Sequence, residues 1–257
     1  MSLKIKGVSY IEDLGHIKVN EKGRIKPHFL YRSAHLAKID SKGIEKLKKH
    51  NITDVIDLRT DEEVSIKKED LGKDINYHHV ALVANKDNPA VTKETRTKIL
   101  LDRQKEEGGT KGYMTRFYSF MLANKKMQEG IRKVFDIILK AKGGVIFHCT
   151  QGKDRTGIIL ILLLEVLGAN KKTITKEYMA YNRINWFFNF YVTIGMFLAN
   201  GLKLTRSLRN LLMARLSYIE EAYRYLEKNY QNPINYLKNE IHLSDEEIKN
   251  LRGKYVL

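Results

Sequence analysis

His148-Cys149-Thr150-Gln151-Gly152-Lys153-Asp154-Arg155-Thr156-Gly157 is the stretch on which the reading of this chain turns. It follows the apolar triplet Val145-Ile146-Phe147 and precedes an apolar run over residues 158–164, so a strand passes through a loop into a helix. The five residues between Cys149 and Arg155 suit a backbone curled into a semicircle with its N–H groups turned inward. Such a curl at a helix N-terminus is an anion nest, sized for a tetrahedral dianion.

Cys149, the only cysteine of the chain, stands at the mouth of that nest. Inward N–H dipoles, the helix N-terminus and a nearby guanidinium all favour the thiolate over the thiol, which makes Cys149 a nucleophile at neutral pH. Arg155 opens the following helix. Its planar fork can grip two equatorial oxygens of a phosphoryl group, a geometry lysine lacks. The plainer reading is a cysteine buried as a small apolar residue. Against it stand Gly152, Gly157, Lys153 and the apolar flanks, which together suit a phosphate cradle. A nucleotide P-loop is excluded because Gly152-Lys153 is followed by Asp154, where Ser or Thr would ligate magnesium. One Cys with one adjacent His cannot complete a tetrahedral zinc site.

The stretch resembles the Cys-x5-Arg signature loop of the protein tyrosine phosphatases. In full it resembles the bacterial atypical branch acting on phosphotyrosine, phosphoserine or phosphothreonine, and phosphoinositides. The resemblance implies an α/β fold with a mostly parallel central sheet flanked by helices, a helical lid and a helical C-terminus. It also implies a phosphocysteine intermediate, no metal and no other cofactor. On this reading the backbone from Thr150 through Gln151, Gly152, Lys153 and Asp154 to Arg155 holds the phosphate. Thr156 hydrogen-bonds the sulfur, and His148 orients the loop. The proton for the leaving group comes from Asp57 or Asp154, since the family allows either and no Trp-Pro-Asp loop is present; the preference falls on Asp57. Lys153 is expected to add charge at the rim and to favour substrates with more than one phosphate. The alternative from another class is a non-catalytic phosphate-binding module docking on phosphoproteins or anionic membranes. Intact Cys149, Arg155 and Thr156 argue against it. An arsenate reductase would need a second, resolving thiol.

With 257 residues the chain is read as one catalytic domain, residues 1–257, with no Pro/Gly/Ser-rich linker and no internal repeat. A single cysteine excludes an internal disulfide and agrees with a reducing compartment. The first residues lack a secretory signal, so the expected location is cytoplasmic, with signal-less export left open by the resemblance. Apolar runs at 158–164 and 186–198 are too short or interrupted to span a bilayer. The net charge of +16 attracts anions in general. Lysines are spread and mixed with acidic residues, and no nucleic-acid motif accompanies them, so nucleic acid is not an expected partner. A phosphoprotein or a phosphoinositide is, and peripheral membrane contact stays open. Oligomeric state is unspecified.

Along the rest of the chain, Asn20-Glu21-Lys22-Gly23 signals a turn between strand-like runs at 14–19 and 25–31, followed by Arg32-Ser33. Asp40 or Ser41 caps a helix to about 49. Residues 52–58 read as a strand ending in Asp57-Leu58-Arg59, at the edge where open α/β sheets gather ligands; an acidic helix, Asp61-Glu62-Glu63-Val64, follows. The next strand carries His78 and His79, which alternate across it and make a poor metal pair. Residues 84–111, broken by Pro89 and Gly108-Gly109, read as a long variable loop or flap. Helical spacing recurs at 113–122, 127–139, 176–185, 217–228 and 233–240, and Ser244-Asp245-Glu246-Glu247 has capping-box spacing. The aromatic stretch opening at Trp186 reads by default as a core helix. Lid helices over 186–215 or a lipid-facing surface are the alternatives.

Overall fold

The computed structural model describes residues 2–19, 23–85, 87 and 92–257. In chain order the strands are β1 (Ile11–Asp13), β2 (Lys18–Val19), β3 (Gly23–Arg24), β4 (Leu30–Ser33), β5 (Ile52–Asp57), β6 (Asn76–His79) and β7 (Gly144–His148). The helices begin with α1 (Ser41–Lys49), α2 (Asp61–Ile66), α3 (Lys93–Lys105), α4 (Gly109–Ala123), α5 (Lys125–Lys140) and α6 (Asp154–Val166). They continue with α7 (Lys171–Ile184), α8 (Trp186–Leu212), α9 (Leu216–Tyr230), α10 (Pro233–Asn239) and α11 (Asp245–Tyr255).

Five strands form one sheet in the order β1-β4-β7-β5-β6. Every pairing is parallel except β1 with β4, so an antiparallel edge closes an otherwise parallel α/β sheet. Side chains alternate across β7 with the strand period of two. Val145 and Phe147 enter the larger core with α4, α5, α6 and the C-terminal helices, while Ile146 faces Val55, Leu47 and Leu36 on the other side. Burial on both faces explains why β7 is apolar throughout. Helix α6 is apolar on all sides because it is buried all round, from Ile158 to Leu164.

The parallel register sets the site. Ser33 of β4 and Asp57 of β5 both lie opposite His148, so three strands end level at their carboxyl edge. That edge is where open α/β sheets bind ligands.

Three local expectations need amendment. The first hairpin is reduced to the two-residue strands β2 and β3, Leu14–His16 being a 3-10 turn; Asn20, Glu21 and Lys22 of its turn lie outside the described residues. Residues 84–111 are not a continuous loop: α3 occupies thirteen residues at the centre of the segment, and Pro89 lies outside the described residues. This helix escaped detection because it is nearly all polar. A reciprocal Thr92–Thr95 cap starts it, and buried Leu100 packs against Met196, Leu208 and Leu212 of α8 while Gln104 Nε2 donates to Ser207 Oγ at 2.7 Å. The third amendment concerns α8, which is not a core helix. Its first half leaves Trp186, Phe187, Phe190, Tyr191, Phe197 and Leu198 exposed, Tyr191 at 69% and Leu198 at 78%. Gly201, at φ 71°, then breaks the helix, since an L side chain is strained in that region. Among the described residues no helix is long and apolar enough to cross a membrane.

Candidate active site

β7 delivers Cys149 from below and α6 begins at Asp154, so the loop between them lies at the N-terminus of a thirteen-residue helix. Gly152 has φ 69°, and a Cβ there would lie 2.1 Å from the Tyr10 hydroxyl and 2.2 Å from the Ser33 carbonyl oxygen. Only glycine lets the turn sit that close to β4. The loop is further pinned by the Tyr10 hydroxyl donating to Gly152 O at 2.8 Å and by His35 N–H donating to Thr150 O at 3.3 Å.

Cys149 is 3% exposed and Arg155 5%, so the nest is closed. Burial alone would push the thiol up. The Arg155 charge and the Thr156 hydroxyl and N–H outweigh it and hold the thiol below its ordinary value. Thr156 Oγ1 is buried with no hydrogen-bond partner among the described residues, which leaves it free to serve the sulfur.

Arg155 is held by Glu63. The carboxylate accepts from Nη1 at 2.5 Å and from Nη2 at 3.0 Å, and the Thr150 hydroxyl also donates to it in a short hydrogen bond. Glu63 sits at the third position of α2 and closes a capping box with Thr60. One side chain therefore fixes both the helix start and the Arg155 guanidinium. Sequence reading saw an acidic helix here without giving Glu63 a role; the Thr60-x-x-Glu63 spacing was the available signal.

Asp57 is not placed as an acid. It is fully buried, its oxygens take Arg59 Nε at 2.9 Å and Nη2 at 2.6 Å, and the Tyr77 hydroxyl donates to it at 2.7 Å. Burial would raise its pKa, but His148 and Arg59 overcome this and hold it well below the usual carboxylate range. Buried and paired with Arg59 and Tyr77, Asp57 is engaged as an anion within the sheet edge, which does not favour the preferred assignment of the proton donor to it. Glu69 joins it, bridging Arg59 Nη2 at 2.9 Å and lying 3.2 Å from His148 Nε2. Burial pushes the His148 imidazole down, but the Glu69 and Asp57 charges prevail and hold it up to about 9. A cationic His148 beside the Cys149 carbonyl, 3.2 Å from Nδ1, supports the loop and cannot accept a proton. Asp57, Glu69 and His148 stand at metal-ligand spacing, yet Arg59 and the imidazolium already balance the two carboxylates, so the group does not suit a cation.

Lys153 departs from its expected place. It is 1% exposed, with Nζ donating to Leu211 O at 2.6 Å in the last turn of α8 and to Met213 O at 3.3 Å just past it, so its charge is not at the rim. Asp154 is the partly exposed acid of the loop. Its Oδ1 accepts from the Tyr118 hydroxyl at 2.8 Å and lies 3.1 Å from Lys153 Nζ. Gln151 is touched by the Tyr181 hydroxyl at 3.3 Å.

A family model described as the tyrosine phosphatase family matches residues 3–257. The chain belongs to the tyrosine phosphatase family. Among its relatives, a Cupriavidus necator protein whose tyrosine-protein phosphatase name is provisional is 27% identical over 253 residues, 97% of this chain and 86% of that one. The triple specificity protein phosphatase PtpB of Mycobacterium tuberculosis is 31% identical over 173 residues, 62% of each chain. A tyrosine-protein phosphatase of Nostoc commune is 32% identical over 126 residues, 48% of this chain and 38% of that one. The tyrosine phosphatase fold expected from the signature loop is the fold found, and the chain is a phosphatase.

Proposed function

We propose that this phosphatase hydrolyses phosphate monoesters, phosphotyrosine foremost, through a covalent phosphocysteine. The single observation that carries the proposal is the Cys149 sulfur, favoured as thiolate at the start of α6 and flanked by Arg155 and Thr156. The thiolate attacks phosphorus in line as the ester P–O bond breaks, and the departing oxygen takes a proton from Asp154. Arg155 and the loop amides from Thr150 to Arg155 hold the equatorial oxygens. Water then attacks phosphorus and yields its proton to Asp154, while Thr156 steadies the sulfur as the S–P bond breaks. His148 keeps the loop in place.

The test is phosphate release from phosphotyrosine, phosphoserine and phosphoinositide substrates, with Cys149→Ser as control. Turnover that survives Cys149→Ser would overturn the mechanism, and no turnover on any substrate would favour a silent phosphate-binding module.

The exposed apolar face of α8 supports a finer reading, in which phosphoinositides at a membrane surface are also substrates. Trp, Phe and Tyr side chains on such a face suit the interface of a bilayer, and a charge of +16 suits an anionic one. Cosedimentation with phosphatidylserine vesicles, lost in a Phe187→Ser/Tyr191→Ser/Leu198→Ser variant, tests it; equal pelleting of both proteins refutes it.

A further inference from the structure

Helix α4 begins without a side-chain cap. Gly108 precedes it and Gly109 opens it, at φ 70° and 61°, and among the described residues no side chain closes its N-terminus. Gly109 N–H turns back to Glu106 O at 2.7 Å, while no acceptor is found among the described residues for the N–H groups of Thr110 and Lys111. A fifteen-residue helix with bare N–H groups presents a partial positive charge at that end.

A cavity of about 420 Å³ opens there, between the start of α4 and the second half of α8. Thr110 lines it, is 2% exposed, and has a buried hydroxyl with no hydrogen-bond partner among the described residues. A buried polar atom left unpaired costs free energy unless a ligand supplies its partner. Across the cavity Lys203 and Arg206 are both exposed and, among the described residues, neither has an ion-pair partner. The neighbouring carboxylate of Glu106 is already engaged by Arg116 and Arg103.

We infer that the uncapped N-terminus of α4, the Thr110 hydroxyl and the cations Lys203 and Arg206 form a second anion site that takes a phosphoryl group. The site is separate from the Cys149 nest and binds without chemistry. The Thr110 N–H donates to an oxygen, the Thr110 hydroxyl gains its missing partner, and Lys203 and Arg206 neutralise the charge. The phosphoryl group belongs to free phosphate or to a phosphorylated lipid headgroup; Leu202, exposed at the cavity edge, offers apolar contact to the latter's acyl chains.

The experiment follows the backbone amides of residues 109–111 by NMR in the full-length chain. One titration uses inorganic phosphate and another dihexanoyl phosphatidylinositol 4-phosphate. Saturable shifts at these amides are expected, with apparent affinity falling about tenfold or more in Lys203→Ala/Arg206→Ala. Thr110→Val, which keeps the side-chain volume, is expected to weaken binding in the same direction while the rest of the spectrum is unchanged. Binding of phosphate and lipid alike identifies the phosphoryl group as the ligand; binding of the lipid alone identifies the headgroup. No saturable shift with either probe, or equal affinity in Lys203→Ala/Arg206→Ala, overturns the site. Turnover by Cys149 is read separately, so failure here is distinct from failure of the catalytic proposal.

Discussion

Glu63 grips Arg155 by both edges of its guanidinium, at 2.5 and 3.0 Å, in a site where neither side chain is more than slightly exposed. Burial would raise the Glu63 pKa from its usual 4.5, yet the Arg155 charge and the bonds from Arg155 and Thr150 bring it down to about 2. Because the folded value is the lower one, this pair stabilises the fold in full above pH 4.5 and loses that contribution as pH falls through about 2. Glu63→Gln is therefore expected to flatten the acid limb of the stability curve. It is also expected to lower kcat about tenfold or more with little change in KM for a small aryl phosphate, because Arg155 is less well aimed in the transition state. An unchanged kcat would show that the fork is positioned without Glu63.

The two acids separate by leaving group. Asp154→Asn is expected to cost about 100-fold in kcat on phenyl or alkyl phosphates and far less on nitrophenyl phosphate, whose leaving group hardly needs a proton. Asp57→Asn, by contrast, strips a buried partner from Arg59 and His148. It is expected to cost about 3–5 kcal/mol of stability in urea unfolding and to lower all substrates alike. A leaving-group dependence in Asp57→Asn would restore Asp57 as the donor.

Thr156→Ala removes a hydroxyl that favours the thiolate. Small alkylating reagents should then react with Cys149 along a pH curve displaced to higher pH, since the folded thiol value rises toward its ordinary one. Phosphoenzyme should also accumulate, seen as a burst of phenol ahead of phosphate. A curve that does not move would take Thr156 away from the sulfur.

His148 supplies the alkaline counterpart. Its folded value, about 9, lies above the usual 6.5, so its stabilisation is complete below pH 6.5 and drains away as pH rises through about 9. The difference in melting temperature between wild type and His148→Asn should narrow across that interval. A difference that holds constant would mean that the imidazole is neutral in the folded state.

What was legible in the sequence is what local pattern controls. Val145-Ile146-Phe147 and the run after Gly157 announce a strand and a buried helix by apolarity, and the residues between them are specialised enough to give the nest and the family. Side-chain direction was not legible. Asp57-Leu58-Arg59 at a strand end reads the same whether the carboxylate faces the nest or the layer beneath, and the deciding partners, Tyr77 and His148, come from other strands. Lys153 is drawn away by carbonyls some 58 and 60 residues along the chain. Helix α3 was hidden because a single buried leucine carries no period.

The Lys153 ammonium, sunk between the phosphate loop and the carbonyls of Leu211 and Met213, acts as a rivet. It fastens the loop that opens α6 to the far end of the bent aromatic helix. A displacement of that helix is thereby delivered to the chain next to Arg155, and the two parts share one mechanical footing.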